Sequence, residues 1–458
     1  MQVEKDSSLQ SNPVPSRKKS RVGIAAVITL LLVLLALIIL PDPLMNWLVK
    51  PKLTEAFNSK HPAYSLRIGE IHYSVFRNQF GFDEIAIDAL DSTLTSNISN
   101  VKVSGINWIS LLWNRTVNSS NSGDLLVEID SVAIVIAQQQ YGLRCGPMSI
   151  SASDSQIVIA NLEYRPLLDD EDLFAASEFR ITRYNLAAPR ITIAGFDCVD
   201  LIRRENYRAR SAELSDVALD VLINKDKPAA APVFAPLMPN DLLALADAPL
   251  LVDSLSIANG KFAYGERFDV GAAPAVLTFD SAEVVVQGIA NRSDSAATIN
   301  ISARALFMEE SPVKVQLTLP VADPQLQFSY SGSMGKLDCC LFNPFVEKTE
   351  RLRIKKGDLE EASFDIDVVS GHASGTFRAT YRDLSFAVID GETGSEKGIV
   401  NSIASIISNT FRIRNSNSPE ESGPMKVGQV DYTKKPDETF LRFAWLSLYS
   451  GVRDLVKK

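Results

Sequence analysis

The sequence predicts a mainly-β protein: an N-terminal transmembrane helix, then an elongated, largely antiparallel β-sheet, with a few helices towards the C-terminus. Three observations predict it. An uncharged apolar run, Val22 to Leu40, lies near the N-terminus. From about residue 64 the chain alternates apolar and polar residues with period two, the mark of strands with one apolar face. Helical apolar spacing gathers in the last part of the chain.

The apolar run is 19 residues long. At 1.5 Å per residue it makes a helix of about 28 Å, close to the hydrocarbon thickness of a bilayer. It is longer than the core of a cleaved signal peptide and ends in Leu40-Pro41-Asp42-Pro43 without a small-x-small site, so it reads as an uncleaved anchor. Arg17, Lys18, Lys19 and Arg21 precede it, and Asp42 is the nearest charge after it. The positive-inside rule then puts residues 1–21 in the cytoplasm and the bulk of the chain outside, in a periplasm.

Strand alternation is cleanest in Val313-Lys314-Val315-Gln316-Leu317-Thr318-Leu319. Leu326/Phe328/Tyr330, Phe364/Ile366/Val368 and Phe377/Ala379/Tyr381 repeat it, and Ile157/Ile159, Ile191/Ile193, Leu255/Ile257 and Ile299/Ile301 are shorter cases. Tyr141-Gly142, Asn259-Gly260 and Ser370-Gly371 carry turn chemistry. Short turns with almost no helices between strands favour an antiparallel meander over βαβ units. Pro228, Pro232, Pro236 and Pro239 interrupt the pattern, so 226–249 reads as an exposed linker between β-rich halves at 41–225 and 250–390. Residues 391–458 hold a helical stripe, Ile399 to Phe411, a strand at Val427 to Tyr432, and a last helix, Thr439 to Val456. That helix either caps the sheet with Phe440, Ala444, Leu448 and Val452 or lies on a membrane with Trp445 and Tyr449.

Composition narrows the function classes. The chain has 458 residues, net charge −9 and 46% hydrophobic residues, which is globular and lacks the basic footprint of a nucleic-acid binder. Cys145, Cys198, Cys339 and Cys340 form no CxxC pair and lie far from most of His61, His72 and His372, which argues against zinc. Cys145–Cys198 is an open disulfide alternative, with buried free thiols the simpler reading. Gly371-His372-Ala373-Ser374-Gly375 puts its serine one position late for a nucleophile elbow and reads as a hairpin. Asp169-Asp170-Glu171-Asp172 lacks calcium-loop spacing and reads as a solvated acidic turn. No nucleophile, acid–base pair or metal set stands out, so neither enzyme activity nor a cofactor is expected.

The order of several segments resembles the AsmA-like proteins of Gram-negative envelopes, in an uncharacterised Bacteroidetes-type branch. They are Ala188-Pro189-Arg190-Ile191-Thr192-Ile193-Ala194-Gly195-Phe196-Asp197, Leu251 to Gly260 with Tyr264-Gly265-Glu266, Gly335-Lys336-Leu337-Asp338, Ile354 to Leu359, and Phe440 to Gly451. The resemblance implies an inner-membrane helix and a curved, gutter-like sheet with an apolar concave face, in a family associated with lipid movement between envelope membranes.

The expected partners are therefore membrane lipids, the inner membrane through residues 22–40, and other envelope proteins, with no nucleic acid. The expected groove places Val313, Val315, Leu317, Leu319, Leu326, Phe328, Tyr330, Phe364, Ile366, Val368, Phe377 and Ala379 on one surface. The competing reading is a non-catalytic envelope scaffold whose apolar faces seal against each other as a sandwich.

Overall fold

The computed structural model describes residues 41–107, 123–203, 206–230, 236–245, 248–291, 298–321, 326–349, 351–389, 414–422 and 424–457, with Thr29. The tail at 1–21, the anchor at 22–40, nearly all of the Asn114–Gly123 segment and the Ile399–Phe411 stripe lie outside these residues. No helix among the described residues is long and apolar enough to cross a membrane.

The protein is mainly β, and its strands form one large, mostly antiparallel sheet. β1 (Tyr64–Ile68) and β2 (Ile71–Ser74) lie end to end along β3 (Gln79–Ala89), followed by β4 (Leu94–Ser104). Two further double rungs follow: β5 (Leu126–Ile129) with β6 (Ser131–Ile136), and β7 (Tyr141–Cys145) with β8 (Met148–Ser151). Next come β9 (Gln156–Pro166), β10 (Thr182–Ala194), and β11 (Tyr207–Ser215) with β12 (Ala218–Asn224). β13 (Leu250–Arg267), β14 (Ala275–Ala290), β15 (Thr298–Phe307) and β16 (Ser311–Pro320) continue the sheet. β17 (Phe328–Met334) with β18 (Leu337–Asp338), β19 (Leu352–Val369), β20 (His372–Val388) and β21 (Gly428–Thr433) complete it. Twenty-one strands with five paired rungs make sixteen rungs, a stack of about 72 Å at 4.8 Å spacing.

One step breaks the meander. β11 and β12 both run parallel to β13. A parallel neighbour needs a crossover of a dozen or more residues, and the connection from Asn224 to Leu250 supplies it. The proline-rich segment therefore does not separate two β-rich units, because one sheet runs through it. Nor is it wholly exposed: Met238 is buried, and Leu243 packs on the core of the C-terminal rungs.

A column of left-handed residues crosses the strands: Asn100 (φ 50°), Asn161 (φ 50°), Asp216 (φ 56°), Asn259 (φ 54°) and Ser281 (φ 49°). Asn and Asp tolerate this conformation better than most residues. Asn100 Nδ2 donates to Asp130 at 2.8 Å, and Asn259 Nδ2 to Asp216 at 2.6 Å, tying neighbouring rungs together. Each break shifts the apolar phase, as in Ile157/Ile159 then Leu162/Tyr164. A bulge bends its strand, and bulges aligned across successive rungs crease the sheet into two limbs. Asn259-Gly260 is thus an irregularity inside β13 and Tyr141-Gly142 lies inside β7, neither a chain reversal. Ser370-Gly371 is the expected hairpin turn, with φ of 51° and 75°.

Helices close both sheet edges, which would otherwise offer unpaired backbone groups to other chains. At the first rung α1 (Pro41–Leu44), a π turn (Met45–Val49) and α2 (Lys50–Lys60) run alongside. Tyr73 N donates to Asp42 at 2.8 Å, Ile71 N to Asn46 Oδ1 at 3.0 Å, and Leu66 N to Asn58 at 3.0 Å. In the remaining connections lie α3 (Asp170–Ala175), α4 (Cys198–Arg203), α5 (Pro239–Ala244), α6 (Asn343–Thr349) and α7 (Pro419–Ser422). At the last rung α8 (Phe440–Val456), capped by Thr439, accepts from Gln429 N through Asp454 at 2.9 Å and from Asp431 N through Ser450 at 3.2 Å.

Candidate functional site

Residues directly opposed across a strand pair share a face, so the register identifies the sheet's two surfaces. One unbroken row crosses all sixteen rungs. It runs Tyr73–Phe80–Val103–Val127–Ile150–Ile157–Ile193–Ala212 to β11. It continues Leu255–Val286–Ile301–Leu317–Tyr330–Ile366–Gly375–Val430 to β21. Every position is aliphatic or aromatic except Gly375. On the other limb Leu66–Ile87–Ser96–Ile134–Leu143–Tyr164–Leu186–Leu219–Phe262–Phe279–Phe307 forms a second row, with Ser96 its one polar member. β15 carries Ile301 and Phe307 at the same parity, which puts the two rows on one side.

The opposite face is polar except at Val158 and Val285. Lys102, Glu128, Ser149, Val158, Thr192, Glu213 and Ser256 oppose one another in turn, followed by Val285, Ser302, Gln316, Ser331, Asp365, Thr376 and Gln429. Burial distinguishes the ends of the apolar face. From Tyr73 to Leu317 the first row is only half-buried, whereas Tyr330, Ile366 and Val430 are buried. The covering element is α8, whose Phe443, Ser447, Gly451 and Leu455 are buried. Tyr330 Oη donates to Ala444 O at 2.8 Å. Gly451 permits this close approach: a Cβ there would lie 2.7 Å from Val430 Cγ2 and 2.9 Å from Phe377 Cβ.

The register brings the sequence-predicted residues onto this face. Val313, Val315, Leu317 and Leu319 belong to β16; Leu317 opposes Tyr330, which opposes Ile366, while Phe328 opposes Val368. Phe364 opposes Phe377, and Ala362 opposes Ala379. Leu326 precedes β17 in a left-handed conformation (φ 50°) and packs on the same core. These residues divide between two cores. Leu319, Phe328, Tyr330, Ile366 and Val368 lie under α8 with Phe443, whereas Ala379 joins Ile354, Tyr381, Leu384 and Leu455. Most of them therefore mark the covered end of the face, while Val313 and Val315 belong to neither core and stay half-buried. The half-buried stretch runs from β2 to β16, and short strands and the phase shift at the crease obscure its continuity in the sequence.

Charged groups serve structure here. Asp169 caps α3 by accepting from Asp172 N, Asp170 pairs with Arg183 at 3.0 Å, and Glu171 pairs with Arg267 at 2.6 Å. The acidic segment is thus a solvated helix start, pinned by two ion pairs, rather than a turn. Arg267 is 4% exposed, bonded also to Asp226 and placed 4.5 Å over the Phe174 ring. The four cysteines are free, and burial pushes the Cys339 thiol up to about 11. Glu70, His72 and Asp83 approach one another closely enough to offer a cation ligands, but Glu70 and Asp83 are exposed. His72 is held by Asp42 (Nδ1, 2.9 Å) and Asp83 (Nε2, 3.2 Å), which raise its pKa. Compared with protein-family models and with curated proteins, the chain matches none.

Proposed function

We propose that this chain is an inner-membrane-anchored periplasmic protein that holds lipid acyl chains in a creased, gutter-like β-trough and takes part in lipid transfer across the envelope. The observation that carries the reading is the sixteen-position apolar row, half-buried over most of its length. A soluble sheet normally covers its apolar face with helices or a second sheet. Here, among the described residues, nothing buries the apolar strip more than half between β2 and β16, and each methylene laid on it would gain about 0.8 kcal/mol by leaving water. The anchor expected at 22–40 would enter the fold at α1, beside the first rung, so the strip begins where the chain leaves the membrane. The reading assigns no covalent chemistry and no cofactor to the protein.

The sealed-scaffold alternative draws its support from the last rungs, where α8 covers Tyr330 and Ile366. Mass spectrometry of lipids co-purified with residues 42–458 separates the two. The trough predicts phospholipid in stoichiometric amounts, and a sealed scaffold predicts none above a soluble control.

A further inference from the structure

We propose that the outward face of α8 docks on the anionic surface of a second bilayer, at the end of the sheet opposite the anchor. This rests on the trough reading for its purpose but on separate observations for its chemistry.

A helix covering a core normally turns a polar face to water. α8 does not. Its inner face, Phe443, Ser447, Gly451 and Leu455, is buried, yet the opposite side places Leu441, Trp445 and Tyr449 at i, i+4 and i+8. Leu441 is 77% exposed and Trp445 57%, and the Trp445 ring stacks on Tyr449 at 6.4 Å between centroids. Large apolar side chains exposed on the outer side of a helix, uncovered among the described residues, indicate something that covers that side.

Charge selects the occupant. The helix has three charged residues, Arg442, Arg453 and Asp454. Asp454 is engaged at the sheet edge, accepting from Gln429 N and facing Lys426. Arg442 and Arg453 flank the aromatic stripe, and the sequence continues into Lys457-Lys458. Trp and Tyr with flanking cations suit the headgroup layer of an anionic membrane. Position selects which membrane. α8 lies on the sixteenth rung, about 72 Å of stacked strands from the rung beside α1, so with the sheet standing out from the membrane of the proposed anchor, a bilayer meeting α8 is a second one.

The test uses the full-length protein inserted in donor proteoliposomes and mixed with acceptor vesicles of phosphatidylethanolamine with or without phosphatidylglycerol. Tethering is read by light scattering and vesicle–vesicle energy transfer. Wild type should tether the anionic acceptors and release them at high salt, while Leu441→Glu/Trp445→Glu should tether them about tenfold less. Because both side chains are exposed, the variant should keep the wild-type melting temperature and lipid content. Tethering by the double variant at wild-type level, equal tethering of acceptors without phosphatidylglycerol, or no tethering by wild type would overturn the proposal. Loss of an envelope protein partner by the variant, with tethering unchanged, would assign the face to protein instead. Lipid content is measured on the same samples, so an empty trough with intact tethering would sink the trough and leave the docking face standing.

Discussion

Val315 and Ile366 lie on the same apolar face but differ in what covers them, and aspartate at each should report that difference. Ile366 is fully buried between Tyr330 and Gly375 beneath α8. Removing its aliphatic side chain from a packed site costs about 3 kcal/mol. The new carboxyl must also stay protonated at neutral pH, about three units above its ordinary pKa, which adds about 4 kcal/mol. A loss of about 7 kcal/mol is comparable with the whole stability of many domains, so Ile366→Asp should not fold its last rungs. Val315 is half-buried, between the small residues Ala303 and Gly332. An aspartate there reaches water, and the lost apolar contact costs about 1 kcal/mol. Urea denaturation followed by circular dichroism should show a modest midpoint shift for Val315→Asp, with its lipid content reduced. Equal, severe destabilisation by both substitutions would refute an open face at Val315, and a folded Val315→Asp protein with normal lipid would refute its place in the trough.

Three further outcomes follow from the geometry. Gly451→Val should cost about 1–3 kcal/mol by overpacking against Val430 and Phe377, read as a lower melting temperature and faster proteolysis of α8. Asn259→Val should cost about 2 kcal/mol, from a β-branched residue at positive φ and the lost hydrogen bond to Asp216, with Asn259→Gly milder by thermal melting. Hydrogen bonds to Asp42 and then Asp83 raise the His72 pKa, so its stabilisation of the α1 junction is complete below the unfolded value of about 6.5 and fades as pH rises through the higher folded value. The melting-temperature difference between wild type and His72→Gln should therefore shrink from about pH 6 to pH 8; a difference that grows would contradict the sign.

What the sequence shows plainly is what depends on local alternation. Val313 to Leu319 lies within β16, Phe364 to Val368 within β19 and Phe377 to Tyr381 within β20. The last helix begins where expected, at Thr439, and Phe440, Ala444 and Leu448 of its expected face pack on the core, but Val452 is not among them and the residues buried outright are Phe443, Ser447, Gly451 and Leu455. The crease is less visible, because a left-handed Asn or Asp can bend a strand as readily as reverse it. Asn259-Gly260 accordingly has the composition of a hairpin while lying inside an 18-residue strand. Parallel pairing of β12 with β13 leaves no local mark, since the proline-rich crossover has the composition of a linker. The pairing of Glu171 with Arg267 joins residues 96 apart in sequence, and that of Asp170 with Arg183 joins a loop helix to the next strand, which no local pattern contains. The open part of the apolar face is only partly legible: Ile157, Ile193, Leu255 and Ile301 alternate visibly, whereas strands such as β5 and β8 are four residues long and carry too little alternation to stand out.

The most direct test of the trough is photocrosslinking in cells at adjacent positions of β10 and of β13. Leu255 and Ile193 lie on the apolar row, while Ser256 and Thr192 lie on the polar face. A benzophenone amino acid at each position of the full-length protein, followed by ultraviolet irradiation and lipid detection on the purified protein, reads which face meets acyl chains. Strong phospholipid adducts at 193 and 255 with background at 192 and 256 are the expected result. Equal labelling of both faces, or labelling of neither, would contradict a lipid-holding trough.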